Sequence, residues 1–169
     1  MNDTKLEWGS FTKRIILNKN FEDVYKCWTI PELLTEWFLE KADYLTKENN
    51  PRDKKDFIQS GDTFTWKWHN WDILETGEVF TANGKDKVSF SFGAAGNVHI
   101  NLKTFDDKTE VVLIQDKIPV DDQAKMNYYC GCSTGWTFWL TNLKAWLEYG
   151  LKLNATGLAQ SEVHNLVNG

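Results

Sequence analysis

The sequence has little of what marks secreted, membrane-spanning or nucleic-acid-binding proteins. Its three cysteines are an odd number, so they form no complete disulfide framework, and reduced thiols are the simplest interpretation. No stretch approaches the roughly 18 apolar residues of a membrane span, and the N-terminus has no apolar signal-peptide core. A net charge of -5 without a basic stripe disfavours nucleic acid as a partner. We therefore expect a cytoplasmic protein with no membrane span and no nucleic-acid partner.

Motifs for metal binding, phosphate binding and nucleophilic catalysis are also missing. His69, His99 and His164 fall in a turn, on a polar strand face and in the tail, and no two have the spacing of metal ligands. We find no glycine-rich phosphate loop and no serine–histidine–acid arrangement. The sequence therefore predicts no metal, no cofactor and no catalytic residue, and favours a non-enzymatic protein.

Several polar residues are weaker candidates. Asp62, Asp72 and Glu78 are expected to be solvated surface carboxylates. Four residues are candidates for catalytic polar groups only if they lie near a cavity mouth: Asp72, Glu78, Tyr128 and Tyr129.

The pair Cys130 and Cys132 precedes the predicted long helix. The dipole at the N-terminus of that helix would lower a thiol pKa, which gives the hypothesis of a reactive pair if the loop is exposed. The spacing is not the CxxC of redox and zinc motifs.

Aromatic residues are abundant instead, with nine tryptophans and ten phenylalanines. The long helix is predicted from Gly135 to Leu151, about 25 Å at 1.5 Å per residue. At about 100° per residue, seven apolar side chains share one face of it: Trp136, Trp139, Leu140, Leu143, Trp146, Leu147 and Leu151. A face with three tryptophans buries a large area, and a sheet is its natural partner.

The rest of the chain predicts two short helices and an antiparallel sheet. A strand over Phe11 to Leu17 precedes a helix capped by Asn20 and a second helix entered through a Thr29–Glu32 capping box. A strand over 42–46 and a charged, solvated loop over 47–56 follow. From Gly61 onward the sequence predicts five strands in which apolar residues alternate with polar ones, as in strands with one buried face. Three of them carry the apolar residues Phe64, Trp66, Trp68, Val88, Phe90, Phe92, Val98, Ile100 and Leu102.

This element order resembles the START-like, helix-grip fold of the SRPBCC superfamily, to which the birch-pollen allergen belongs. Within it, the stretch Val24 to Phe38, and Gly135-Trp136 with Leu140, Leu143, Leu147, Glu148 and Gly150, are most similar to bacterial homologues of the heat-shock-protein ATPase activator, in their C-terminal-type domain. The resemblance covers about residues 11 to 152. It implies an α+β domain in which a curved antiparallel sheet wraps around a long C-terminal helix. The eukaryotic relative's second domain has no counterpart here, which puts direct chaperone activation in doubt.

The resemblance also implies a function, because members of the superfamily bind lipids, sterols or other apolar molecules, and a few are polyketide cyclases. We expect a small apolar or lipid-like ligand between sheet and helix, with these residues lining the cavity: Trp37, Phe64, Trp66, Trp68, Phe90, Phe92, Ile100, Trp136, Trp139, Leu140 and Leu143. If the rings interdigitate fully, the same residues are core. A stress-response module that binds a chaperone or another protein, and a cyclase-like enzyme, are the alternatives.

We expect one domain over residues 1–169, with a core over about 8–152 and an extension over 153–169. Phe138 and Tyr149 lie on the outer side of the long helix. Either the extension folds back over them through Leu158, Val163 and Leu166, or they form a homodimer contact.

Overall fold

Seven antiparallel strands form one sheet in the computed structural model, which describes residues 7–169. The strands are β1 (Phe11–Leu17), β2 (Lys41–Leu45), β3 (Thr63–Lys67), β4 (Leu74–Ala82), β5 (Lys87–Ser91), β6 (Asn97–Phe105) and β7 (Lys108–Asp116). The helices are α1 (Phe21–Thr29), α2 (Pro31–Trp37), α3 (Asp122–Ala124) and α4 (Gly131–Tyr149). The order β1-β7-β6-β5-β4-β3-β2 makes β2 to β7 a meander and returns β1 to the edge beside β7.

Helix α4 packs against one face of this curved sheet, and α1 and α2 close one end. The buried core runs without interruption from Phe11 on β1 through Trp28 and Trp37 to Leu143 on α4. Its rings pack edge-to-face and stacked, as in the pair Trp28–Trp37 with centroids 4.8 Å apart. The predicted α+β helix-grip architecture is confirmed.

Two helix starts differ from prediction. Helical structure begins before the predicted start at Gly135, because α3 leads into a π-helical segment over Lys125–Cys130 that continues into α4 without a break. The start of α2 also differs, since Ile30 is its N-cap and makes no side-chain cap hydrogen bond. The Thr29 hydroxyl instead donates to the Tyr25 carbonyl, 2.7 Å away, so the predicted capping box is wrong.

Asp62 is buried rather than solvated, and the charged loop is anchored through it. The Arg52 guanidinium donates to both carboxylate oxygens of Asp62, at 2.5 and 2.7 Å. The Gln59 backbone N–H donates to the same carboxylate at 2.8 Å. Backbone bonds from Glu32 to Lys54 and from Ile58 to Thr29 hold the loop against α1 and α2. The loop is therefore anchored at these points, while residues 47–51 and 53–56 remain exposed to solvent, as predicted.

The extension folds back along α4 and the β3–β4 connection. Buried Asn142 donates to the Trp37 carbonyl at 2.6 Å and accepts the Leu153 N–H at 2.7 Å. Asn70 donates to the Ala155 carbonyl. Val163 is buried, whereas Tyr149 stays 68% exposed. The extension thus covers the outer face of α4 at Asn142 and leaves Tyr149 to solvent.

Among residues 7–169, no helix is both long and apolar enough to cross a membrane. The same residues contain no cluster of histidine, cysteine and carboxylate side chains that would hold a metal ion.

Candidate functional site

A small aromatic cavity lies between α4 and the sheet. Its volume is about 160 Å³. Its lining residues are Phe38, Trp68, Phe92, Asn127, Gly131, Cys132, Gly135, Trp136 and Trp139. We call this cavity the aromatic pocket.

The ring positions in the aromatic pocket are set from three directions. Phe38, which ends α2, stacks on Trp136 of α4 with centroids 5.2 Å apart. Phe92, just after β5, packs against Trp136 with ring centroids 5.5 Å apart. Trp68, just after β3, meets the Phe38 ring edge-to-face at 4.9 Å. The pocket is therefore the gap left where helix, strand ends and α2 bring large rings together.

Hydrogen bonds fix two of the three indoles that line the aromatic pocket. The Trp136 indole N–H donates to the Gln115 side-chain carbonyl on β7, 2.8 Å away. The Trp68 indole N–H donates to the Glu75 carboxylate at 3.2 Å. Because both of these N–H groups are already paired, Trp68 and Trp136 present ring faces and edges to the pocket.

Four of the predicted ligand-binding residues line the aromatic pocket: Trp68, Phe92, Trp136 and Trp139. The other seven are core side chains no more than 3% exposed, namely Trp37, Phe64, Trp66, Phe90, Ile100, Leu140 and Leu143. The Phe64 and Trp66 rings stack with centroids 4.0 Å apart, so they fill volume that a larger cavity would need. Most of the predicted cavity is thus closed by the interdigitated rings.

Sequence reasoning missed several lining groups. Phe38 belongs to the stretch that carries the family resemblance, but it was not among the predicted lining residues. Asn127, Gly131 and Cys132 reach the pocket because the helical path begins before Gly135. Glu75 lies beside the pocket because its carboxylate accepts the hydrogen bond from Trp68. The alternation of residues along the strand did not predict this position.

Burial raises the pKa of two groups here. Desolvation raises the pKa of Glu75, and the hydrogen bond from Trp68 opposes that shift. Desolvation also raises the pKa of the Cys132 thiol, although a hydrogen bond with the Gln115 side chain partly lowers it. Cys132 lies inside α4 and Cys130 inside the π-helical segment. The hypothesis of a dipole-activated thiol at the start of the helix is therefore wrong for Cys132.

The four polar candidates lie elsewhere. The Asp72 N–H contacts the Gln160 side chain of the extension, and the Glu78 N–H donates to Ser91. The Tyr129 ring packs edge-on against Trp8 and Phe11, at 4.9 and 5.5 Å. Tyr128 packs, partly buried, against the core. None of the four lines the aromatic pocket within the described chain.

Solved structures share this fold at low sequence identity. The X-ray structure of protein SSP2350 from Staphylococcus saprophyticus is 18% identical, with a TM-score of 0.69 over 87% of this chain and 97% of that one. The solution structure of the Aha1 dimer from Colwellia psychrerythraea is 17% identical, with a TM-score of 0.64 over 83% and 97%. CalU16 from Micromonospora echinospora is 15% identical, with a TM-score of 0.60 over 83% and 77%.

A search of curated protein sequences finds no match to this chain. A family model does match it. The model of the Activator of Hsp90 ATPase homolog 1-like protein family matches residues 18–148, from the turn before α1 almost to the end of α4. The chain belongs to this family.

Proposed function

We propose that the protein binds a small, flat apolar molecule, about the size of one benzene ring, in the aromatic pocket. The observation that supports this is the ring of five aromatic side chains around a cavity of about 160 Å³. Apolar cavities of about 150 Å³ take up benzene in other proteins. Cavities that hold drug-sized ligands are larger, about 300–1,000 Å³. We therefore favour a single ring over a long acyl chain or a sterol.

Burial of apolar surface would drive this binding, at roughly 25 cal/mol per Å² removed from water, before association costs. Asn127 and Cys132 are the polar side chains of the lining. One amide and one thiol of raised pKa are a poor acid–base pair for cyclase chemistry. For this reason we propose binding without turnover.

Filling the pocket tests the proposal. Cys132→Leu adds side-chain volume inside the pocket, whereas Cys130→Leu makes the same change at a residue outside its lining. Saturation-transfer NMR with benzene as the probe should detect binding to the wild type and to Cys130→Leu, and little or none to Cys132→Leu. Equal binding by both variants would disprove binding in this pocket. Native mass spectrometry of the protein from its own host should then show whether a small mass copurifies.

A second candidate is a chaperone-accessory role, which the family description suggests. Three exposed apolar side chains at the β3–β4 connection favour it, since such a patch suits a protein partner: Trp71, Ile73 and Leu74. Measuring the ATPase rate of an Hsp90-class chaperone with and without the protein tests this role. A rate that the wild type and a Trp71→Ser variant leave equally unchanged would rule it out.

A further inference from the structure

A lysine faces the core side of the sheet at its open edge. In the β1–β7 ladder, Phe11 pairs with Gln115, Lys13 with Leu113 and Ile15 with Val111. Alternate residues of a strand share a face. Lys13 therefore points to the same side as Phe11 and Ile15, opposite the fully buried Leu113. An apolar residue would be expected at this position.

Lys13 lines a groove beside α4, at the β1 edge of the sheet. The groove encloses about 660 Å³, within the range of small-molecule sites. One wall is α4, including Thr137 and Phe138, and the other is the end of the extension, including Leu166 and Val167. We call this space the α4–tail groove. It is distinct from the aromatic pocket, although Gly135 and Trp139 line both.

The α4–tail groove contains a cationic side chain, although the whole chain has a net negative charge. Its lining, as far as residues 7–169 describe it, contains one cationic side chain and no carboxylate side chain, in a chain of net charge -5. Every ion pair found within the described residues uses a lysine, arginine or histidine other than Lys13. The remaining walls combine threonine hydroxyls with apolar side chains.

We propose that the α4–tail groove is a second binding site, for a small amphipathic carboxylate. The carboxylate would accept a charge-assisted hydrogen bond from the Lys13 ammonium, the stronger class of hydrogen bond. The aryl or short alkyl part would pack on Phe138, Leu166 and Val167. This site is independent of the ligand proposed for the aromatic pocket.

A different explanation for Lys13 is protection of the edge strand, because inward charges on edge strands prevent pairing with other chains. That role requires no anion in the groove. The two explanations predict different effects of the same substitution.

Phenylacetate is the probe, with 2-phenylethanol as its neutral counterpart. In ¹H–¹⁵N NMR titrations, Lys13→Met should weaken phenylacetate binding about tenfold or more and change 2-phenylethanol binding less than twofold. Lys103→Met removes the same charge from an exposed position on β6 and should change neither. Phenylacetate should shift the amide signals of Thr137 and Leu166 in the wild type.

Thr137→Glu provides a second test should Lys13→Met fold poorly. Thr137 is exposed on α4, so the variant should fold, and its added carboxylate should abolish phenylacetate binding. Cys132→Leu should lose benzene and keep phenylacetate, which separates the two sites. Equal phenylacetate affinity in wild type and Lys13→Met would overturn the proposal. Self-association of that variant would then support protection of the edge strand as the role of Lys13. Shifts confined to Phe92 and Cys132 would overturn the proposal too.

Discussion

Among single residues, Glu75 should make stability depend on pH. Its pKa is raised above the ordinary 4.5, first because burial disfavours the charged carboxylate. The folded protein therefore holds this proton more tightly than the unfolded chain. Consequently the contribution of Glu75 to stability is full below pH 4.5 and falls as pH rises towards the raised pKa. We would measure the free energy of unfolding of wild type and Glu75→Gln in urea across this range. The wild type should lose stability relative to Glu75→Gln as the pH rises.

Glu78→Gln is the matched control, because Glu78 lies on the same strand but is exposed. Comparing the two substitutions separates the effect of burying Glu75 from the effect of removing a carboxylate from β4. A Glu75→Gln difference that is flat across the same window, or that rises with pH, would mean that burial does not govern this carboxyl.

Individual buried charges were the hardest feature to predict from sequence. Asp62 looked like a surface carboxylate because its partner, Arg52, lies in a run rich in charges. Only the folded chain brings the two together, and pairing is what makes the burial of such charges tolerable. Lys13 was missed for a related reason: alternation assigns a face, but register with β7 decides which face is the core.

At the scale of elements, Asn142 joins α2, α4 and the extension. It is fully buried, and its amide satisfies the Trp37 carbonyl and the Leu153 N–H. Asn142→Leu keeps the size of the side chain and leaves both backbone groups without this partner. We expect a loss of about 2 kcal/mol in the free energy of unfolding. Hydrogen exchange at the Leu153 amide should also become faster.

Thr141→Ala, at the adjacent exposed position, is the control. It should leave exchange at Leu153 as in the wild type and cost little stability. If Asn142→Leu unfolds like the wild type and its extension exchanges at the same rate, the extension is held by other contacts, such as those of Asn70.

The elements themselves were largely predictable, and the site only in part. Strands such as β2, β3 and β6 could be predicted because one face of each is buried, which gives the sequence a period of two. The start of the long helix could not be predicted, because the π-helical segment over Lys125–Cys130 interrupts the helical period. The aromatic pocket could not be predicted either. The pocket is the space left unfilled after rings such as Phe64 and Trp66 have packed. The hydrophobic pattern of a sequence does not show how completely the side chains will fill the core.

At the scale of the whole molecule, the sheet joins the two ends of the fold. Strand β1 pairs along its full length with β7, about a hundred residues later. Helix α4 then lies across the sheet and bonds back to β1, where Lys144 donates to the Ile16 carbonyl at 2.9 Å. Removing either end would therefore expose the same core, which contains residues from Phe11 to Leu143.

This closure predicts that the chain unfolds as one domain. Because β1, β7 and α4 share one core, partial unfolding would have to expose much of it at once, which favours an all-or-none transition. Urea curves recorded by tryptophan fluorescence and by far-UV circular dichroism should coincide, with refolding on the millisecond-to-second scale typical of such non-local pairing. Substituting Leu113, fully buried on β7, by Ala should move both curves together. Two separated transitions, or a shift of one curve alone, would show independent folding of two parts of the chain. One part would contain strands β2, β3 and β4, and the other would contain β1, β7 and α4.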